Sequence, residues 1–212
     1  MIARIEQCGN EYPAALRERL GDDAPSCLYA MGDVAILRHR LLGLVCSIQC
    51  PGSIVIKTLD VIRTLRDAGV MIVGGFHSPM EKECLDILLR GNQTVILCAA
   101  KGLVGLRIGQ TPRQAVKDGR LPIVSHFAAN VRRTTPVRAI QRNDLVAALA
   151  DALWVPHAAP GGKVWMAIRR ALARGQAVFT FESEENSDLM NSGAKPVEPR
   201  EIISAFESRA AK

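Results

Sequence analysis

An α/β fold is predicted, with a Rossmann-like, mostly parallel sheet flanked by helices on both faces and a small N-terminal leader. Three observations in the 212-residue chain point to it. From Leu41 onward, apolar runs of strand length alternate with helical patterns. Short Gly- and Pro-bearing turns join them. No repeat of solenoid period and no low-complexity linker interrupts the alternation, and that pattern gives parallel strands with crossover helices.

In order, residues 1–40 read as a leader packed on the core. A short helix follows Tyr12-Pro13, Asp22 to Pro25 is a turn, and Cys27 to Tyr29 is a brief extended piece. Leu41 to Cys46 is a buried strand candidate, Ser47 to Ser53 a loop, and 53–68 a helix with Ile54, Leu59, Ile62 and Leu65 inward. Further strands are expected at 70–73, 94–98, 121–125, 152–157 and 177–181. Helices are expected at 112–118, 137–150 and 161–174. The Rossmann-like domain spans 41–197, and a C-terminal helix, 198–210, lies in the closing segment 198–212.

The stretch from Val70 to Arg90 organises the rest. A β-branched strand ends in Gly74-Gly75, a pair that lets another backbone or a ligand come close. Ser78 is then a natural N-cap, Pro79 suits the first helical position, and Glu81 completes a capping box. Two readings stay open: helix-start chemistry alone, or a turn whose amides face an anion. Three loops of this kind, Ser47 to Gly52, Gly74 to Ser78 and Pro160 to Lys163, should share one rim of the sheet, because crossovers have one hand.

Composition narrows the function. No run approaches the ~18 apolar residues that span a bilayer. The start Met1-Ile2-Ala3-Arg4 lacks a basic-then-apolar leader, so a cytoplasmic protein with no membrane association is expected. Six cysteines without a C-x-x-C pair read as buried reduced thiols. Four histidines without zinc spacing give no metal site. No cofactor is expected. Between Lys101 and Arg142 stand nine Lys/Arg and one acid, Asp118, a local charge of +8 in a chain of net +6. That imbalance suggests a polyanionic partner, with a solvated basic surface as the plainer alternative. His77 and His157, at the ends of expected strands, read either as pocket residues or as hydrogen-bonded structural ones. Phe76, Phe127 and Trp165 read as core or as stacking platforms.

The ordered pieces resemble the DNA-processing protein A (DprA) family. Tyr12-Pro13, Leu16, Pro25, Leu28-Tyr29 and Gly32 match its N-terminal segment. Leu44 to Ser47 occupies the place of its first strand and Gly-Ser-Arg turn, and Ile72 to Gly75 that of a strand ending in Ser-Gly. Gly91 to Thr94, Leu121 to Ser125, Arg142-Asn143, Gly175 to Phe179 and Asn186 to Ala194 follow in the family's order, covering nearly all of 12–197. The chain departs from the pattern at Ile48 and Asp144, where the family has arginines, and no winged-helix appendage is expected after Lys195. More distantly the chain is similar to cytokinin-activating phosphoribohydrolases. There Pro160-Gly161-Gly162 resembles the start of that family's Pro-Gly-Gly-x-Gly-Thr-x-x-Glu, while Val164, Trp165 and Ile168 replace its second Gly, its Thr and its catalytic Glu. A glycosidic bond would lack its usual carboxylate at that place, and no catalytic residue is assigned.

The resemblance implies a nucleic-acid-binding protein for single-stranded DNA, with a recombinase as protein partner and a homodimeric assembly. Binding is expected through Ser47, Gly74, Gly75, His77, Ser78, Arg132, Arg133, Arg138, Arg142, Asn143, Gly161, Gly162 and Lys163. The alternative is a sensor or enzyme whose crevice takes a nucleotide or sugar phosphate.

Overall fold

The computed structural model describes residues 1–207. Among them nine strands form one sheet: β1 (Ala3–Glu6), β2 (Cys27–Met31), β3 (Leu42–Leu44), β4 (Ile72–Gly74), β5 (Val95–Cys98), β6 (Ile123–Ser125), β7 (Ala152–Trp154), β8 (Ala177–Thr180) and β9 (Lys195–Pro196). The helices are α1 (Ala14–Leu20), α2 (Gly52–Asp67), α3 (Pro79–Leu88), α4 (Gln110–Lys117), α5 (Pro136–Leu149), α6 (Lys163–Ala173), α7 (Ser187–Asn191) and α8 (Pro199–Glu207).

Spatial order in the sheet is β1-β2-β6-β5-β4-β3-β7-β8-β9. All pairings from β6 to β9 are parallel, and β1 and β2 add an antiparallel edge. The fold is therefore the expected Rossmann-like α/β arrangement, with the leader's two strands built into the sheet itself. From β3 the chain winds outward through β4, β5 and β6. It then crosses back along α5 to β7 on the other side of β3. The order thus reverses between β3 and β7, and such a switch point opens a crevice at the carboxyl ends of the strands.

Each face of the sheet carries its own apolar cluster. Tyr12, Leu16, Val73, Ile96, Leu145 and Ile168 join α1, α5 and α6 on one side. Leu42, Ile62, Ile72, Cys84, Leu88 and Trp154 join α2, α3 and α8 on the other. The central strands are buried on both faces, which explains their unbroken apolar runs.

Differences from expectation are local. The strand expected over 152–157 stops at Trp154, since Pro156 has no N–H to continue a ladder. Leu59 is only half-buried; Val61 and Thr58 take inward places instead. β1, β9 and α7 were not anticipated: β1 buries only Ile5, β9 buries neither of its two residues, and α7 is barely one turn. Of the terminal helix expected over 198–210, α8 is the described part, and 208–210 lie outside the described residues.

Candidate nucleic-acid interface

Three loops meet at the carboxyl edge around the switch point. After β3, Ser47 donates its N–H to the His157 carbonyl at 3.0 Å, and its Oγ accepts the Ala159 N–H at 3.1 Å. The loop after β3 is thereby bonded to the loop after β7. His157 is held in turn, its Nδ1 3.0 Å from Asn186 Oδ1, while Asn186 Nδ2 donates to the Pro156 carbonyl. His157 is the hydrogen-bonded structural residue of the two readings.

The second loop follows β4. Gly74 is buried beside the Leu44 carbonyl, and Phe76 turns through φ 45°, a left-handed conformation that costs an L-residue about 1–2 kcal/mol. Burial of the Phe76 ring among the residues of α3 offsets it. Ser78 caps α3: its Oγ accepts the Glu81 N–H at 3.2 Å, and Glu81 Oε2 accepts the N–H groups of Ser78 and His77 at 3.0 and 2.9 Å. Glu81 Oε1 also accepts the Cys46 N–H at 3.1 Å, which ties this turn to β3. The carboxylate is thus committed to three backbone donors, and both polar atoms of Ser78 serve the helix start. Ser78 is 2% exposed, with its backbone N–H and its Oγ lone pair engaged at the helix start.

Arg142 reaches this turn from α5 on the opposite face. Helical side chains lean toward their N-terminus, so a residue two turns into α5 points up to the carboxyl rim. The side chain is 6% exposed, and its Nε donates to Asn143 Oδ1 at 2.9 Å. Asn143 therefore orients Arg142. The guanidinium lies on Gly75: a Cβ built there would fall within 2.6 Å of Nε and closer still to Cζ and Nη1. Among the described residues no acid makes an ion pair with Arg142. Burial lowers its pKa and Glu81 opposes that, but an arginine keeps its charge at neutral pH.

The third loop brings Gly161, at φ 74°, and Gly162, which stands as N-cap of α6 with no side chain bonded to the first-turn amides. Lys163 opens the helix and is exposed. The His77 ring connects these loops electrostatically. Partial burial lowers its pKa first, then Arg142, Lys82 and Lys163 act in the same direction, and Glu81 opposes. Gly74 to Ser78, Arg142 and Pro160 to Lys163 thus come together, as the sequence led us to expect.

Arg132, Arg133 and Arg138 belong to the same rim but lie further along it, after β6, two strands or roughly 10 Å from β4. Arg132 and Arg133 are exposed, and Arg138 Nη1 is used on the Arg133 carbonyl at 2.8 Å. Arg132 and Arg133 form an exposed basic shoulder with Arg138 half-buried beside them, whereas Arg142 is buried. Phe76 and Phe127 are core residues, and Trp165 sits half-buried on α6. The link from Glu81 to Cys46 and the left-handed Phe76 were missed from sequence, for neither carries a local signature. Among the described residues no cluster of His, Cys, Asp or Glu is placed to hold a metal, and no helix is long and apolar enough to cross a membrane.

Comparison with known proteins agrees with this architecture. The profile of the DNA recombination-mediator protein A family matches residues 4–207. The chain is similar to DNA processing protein A from Streptococcus pneumoniae, with 19% identity and a TM-score of 0.82 over 97% of this chain and 75% of that one. It is similar to the Helicobacter pylori DNA processing protein A, which has its own single-stranded DNA binding mode, with 19% identity and a TM-score of 0.79 over 97% and 95%. The molybdenum cofactor binding protein of Rippkaea orientalis shares the fold more loosely, at 11% identity and a TM-score of 0.56 over 81% and 97%. No curated protein matches by sequence.

Proposed function

The chain belongs to the DNA recombination-mediator protein A family, and from that premise we propose that its switch-point crevice holds the phosphate backbone of single-stranded DNA. The observation that carries this is Arg142, a guanidinium 6% exposed, unpaired by any acid among the described residues, lying over Gly75. A buried cation is retained only if an anion repays its desolvation. Around it, the start of α6 offers uncapped amides and Lys163 an exposed charge. Arg132 and Arg133 continue the track for the next phosphates.

The protein binds and delivers the strand, and no catalytic step belongs to it. Glu81, the nearest acid, is already committed to three backbone N–H groups. A recombinase as the receiving partner and assembly as a homodimer complete the proposal, in keeping with the family. The related Helicobacter pylori protein, by its single-stranded DNA binding mode, supports the choice of ligand.

One feature favours a second reading. A guanidinium this enclosed takes one phosphate, which a nucleotide or sugar phosphate also supplies. A labelled oligonucleotide titrated at several salt concentrations, beside a thermal-shift panel of nucleotides and sugar phosphates, separates the two. Steeply salt-dependent oligonucleotide binding is expected. A several-degree shift with one small ligand, and no oligonucleotide binding, would favour the second reading instead.

A further inference from the structure

Charge along the carboxyl rim changes sign between β7 and β8. The strands from β3 to β8 run parallel, so the loop after β8 leaves at the same edge as those after β3, β4, β6 and β7. In spatial order the rim passes from Arg132 and Arg133 after β6, through Arg142 over Gly75 after β4, to Lys163 after β7. β8 comes next. The segment that follows it carries Glu182, Glu184, Glu185 and Asp188, all exposed, and no Lys or Arg stands between Phe181 and Asp188.

This acidic segment is fixed at both of its neighbours. Asn186, 1% exposed, donates from Nδ2 to the Pro156 carbonyl at 2.9 Å, and its Oδ1 lies 3.0 Å from His157 Nδ1. These bonds pin the segment to the loop after β7. On the other side Ser53, in the first turn of α2, donates from Oγ to Glu185 Oε1 at 3.3 Å, while the Ser183 hydroxyl donates to Glu185 Oε2. The bond from Ser183, then one from its own backbone N–H, hold the Glu185 carboxyl below the ordinary carboxylate range, and Lys57 on α2 adds a smaller pull in the same direction. Pro51, the N-cap of the sixteen-residue α2, bonds no side chain to the first-turn amides. A long helix stabilises an anion at that end, and here the protein supplies its own.

We propose that the segment from Glu182 to Asp188 is an electrostatic wall that ends the single-strand track at β7 and keeps phosphates off the start of α2. One chain then holds a short strand of about four phosphates, one for each of Arg132, Arg133, Arg142 and Lys163. The proposal rests on the function given above and adds the length of strand that the crevice accepts. Neighbouring strands lie about 4.8 Å apart, inside a screening length of about 8 Å at physiological ionic strength, so the wall acts on a phosphate already seated beside β7.

The test compares the full chain with Glu184→Gln/Glu185→Gln, using labelled oligothymidylates of about 2 to about 12 nucleotides at several salt concentrations. Wild-type affinity should level off near about four nucleotides, with a log–log salt slope of about 3. The variant should go on gaining affinity for about two nucleotides more, and its slope should steepen by about 0.7, because Lys57 is then free to meet one further phosphate. Asp22→Asn/Asp23→Asn makes the same charge change in the leader and should keep the wild-type plateau and slope. A titration with inorganic phosphate, followed by NMR at the Gly52, Ser53 and Ile54 amides, reads the wall without DNA: these signals should move in the glutamine variant and stay still in wild type. The same plateau and slope in wild type and the glutamine variant, an equal gain in the leader variant, or phosphate moving those amides in wild type would each overturn the proposal. If neither chain binds any oligomer, the proposed function fails, and the phosphate titration still decides whether Glu185 guards α2.

Discussion

The guanidinium of Arg142 rests on the Cα of Gly75, in the space where any other residue would put its Cβ. Two elements on opposite faces of the sheet are joined by this contact. α5 supplies the cation, and the turn after β4 supplies a surface without a side chain. The Glu81 carboxylate holds that turn from the far side through Cys46, His77 and Ser78. A positive group is therefore supported on a backbone that a buried acid fixes in place.

Gly75→Ala tests the contact itself. The new methyl must displace Arg142, and overpacking of this kind costs about 1–3 kcal/mol. A lowered denaturation midpoint together with lost oligonucleotide binding is expected. Unchanged affinity would mean the guanidinium can sit elsewhere and still work.

Glu81→Gln probes the brace. An amide replaces one accepting oxygen with a donor, leaving at least one of the three bonded N–H groups unmatched at a cost of about 1–3 kcal/mol. Urea unfolding should report that loss. Binding should weaken only as far as the turn loosens, because Glu81 touches no ligand in this account.

His126 gives the chain a pH dependence. Its Nδ1 is buried without a partner among the described residues, and burial pushes its pKa down to about 4. The unfolded chain, with an ordinary value near 6.5, binds the proton first, so this contribution is full above pH 6.5 and is lost as the pH falls toward 4. Between pH 7 and pH 5 the loss is about 2 kcal/mol. Urea midpoints at the two pH values should separate wild type from His126→Gln, whose stability lacks this part of the fall. Equal falls in both would refute the assignment.

The basic shoulder makes a different prediction. Arg132 and Arg133 are exposed and contact no acid among the described residues. Replacing both with Ala should leave stability within about 0.5 kcal/mol. It should also reduce the salt dependence of single-stranded DNA affinity by a log–log slope of about 1.4. A slope equal to wild type would remove these residues from the DNA path.

Much of this architecture was legible in the chain. Alternating apolar runs and helical patterns gave the strand order's raw material, and Ser78, Pro79 and Glu81 read correctly as a capping box because that signal is local. The gathering of Gly74 to Ser78 with Pro160 to Lys163 followed from the single hand of the crossovers. What stayed hidden depends on contacts between distant segments. Arg142 looked like one more member of a basic run, and only the packing of α5 over β4 turns it inward. The bonds from Ser47 to Ala159 and His157 join segments far apart in the chain and carry no local signal. The edge strand β1 hid because Ile5 alone is buried in it.

The central claim is that Arg142 is the cation seated under the bound phosphate, and the most direct test is a titration of labelled single-stranded oligonucleotide into wild type and Arg142→Ala at one low salt concentration. Thermal midpoints recorded alongside show that both chains are folded. Loss of a buried, hydrogen-bonded cation from the contact should weaken binding by about 2–5 kcal/mol, at least tenfold, in a variant that still melts cooperatively. Equal affinity in a folded Arg142→Ala chain would contradict the account.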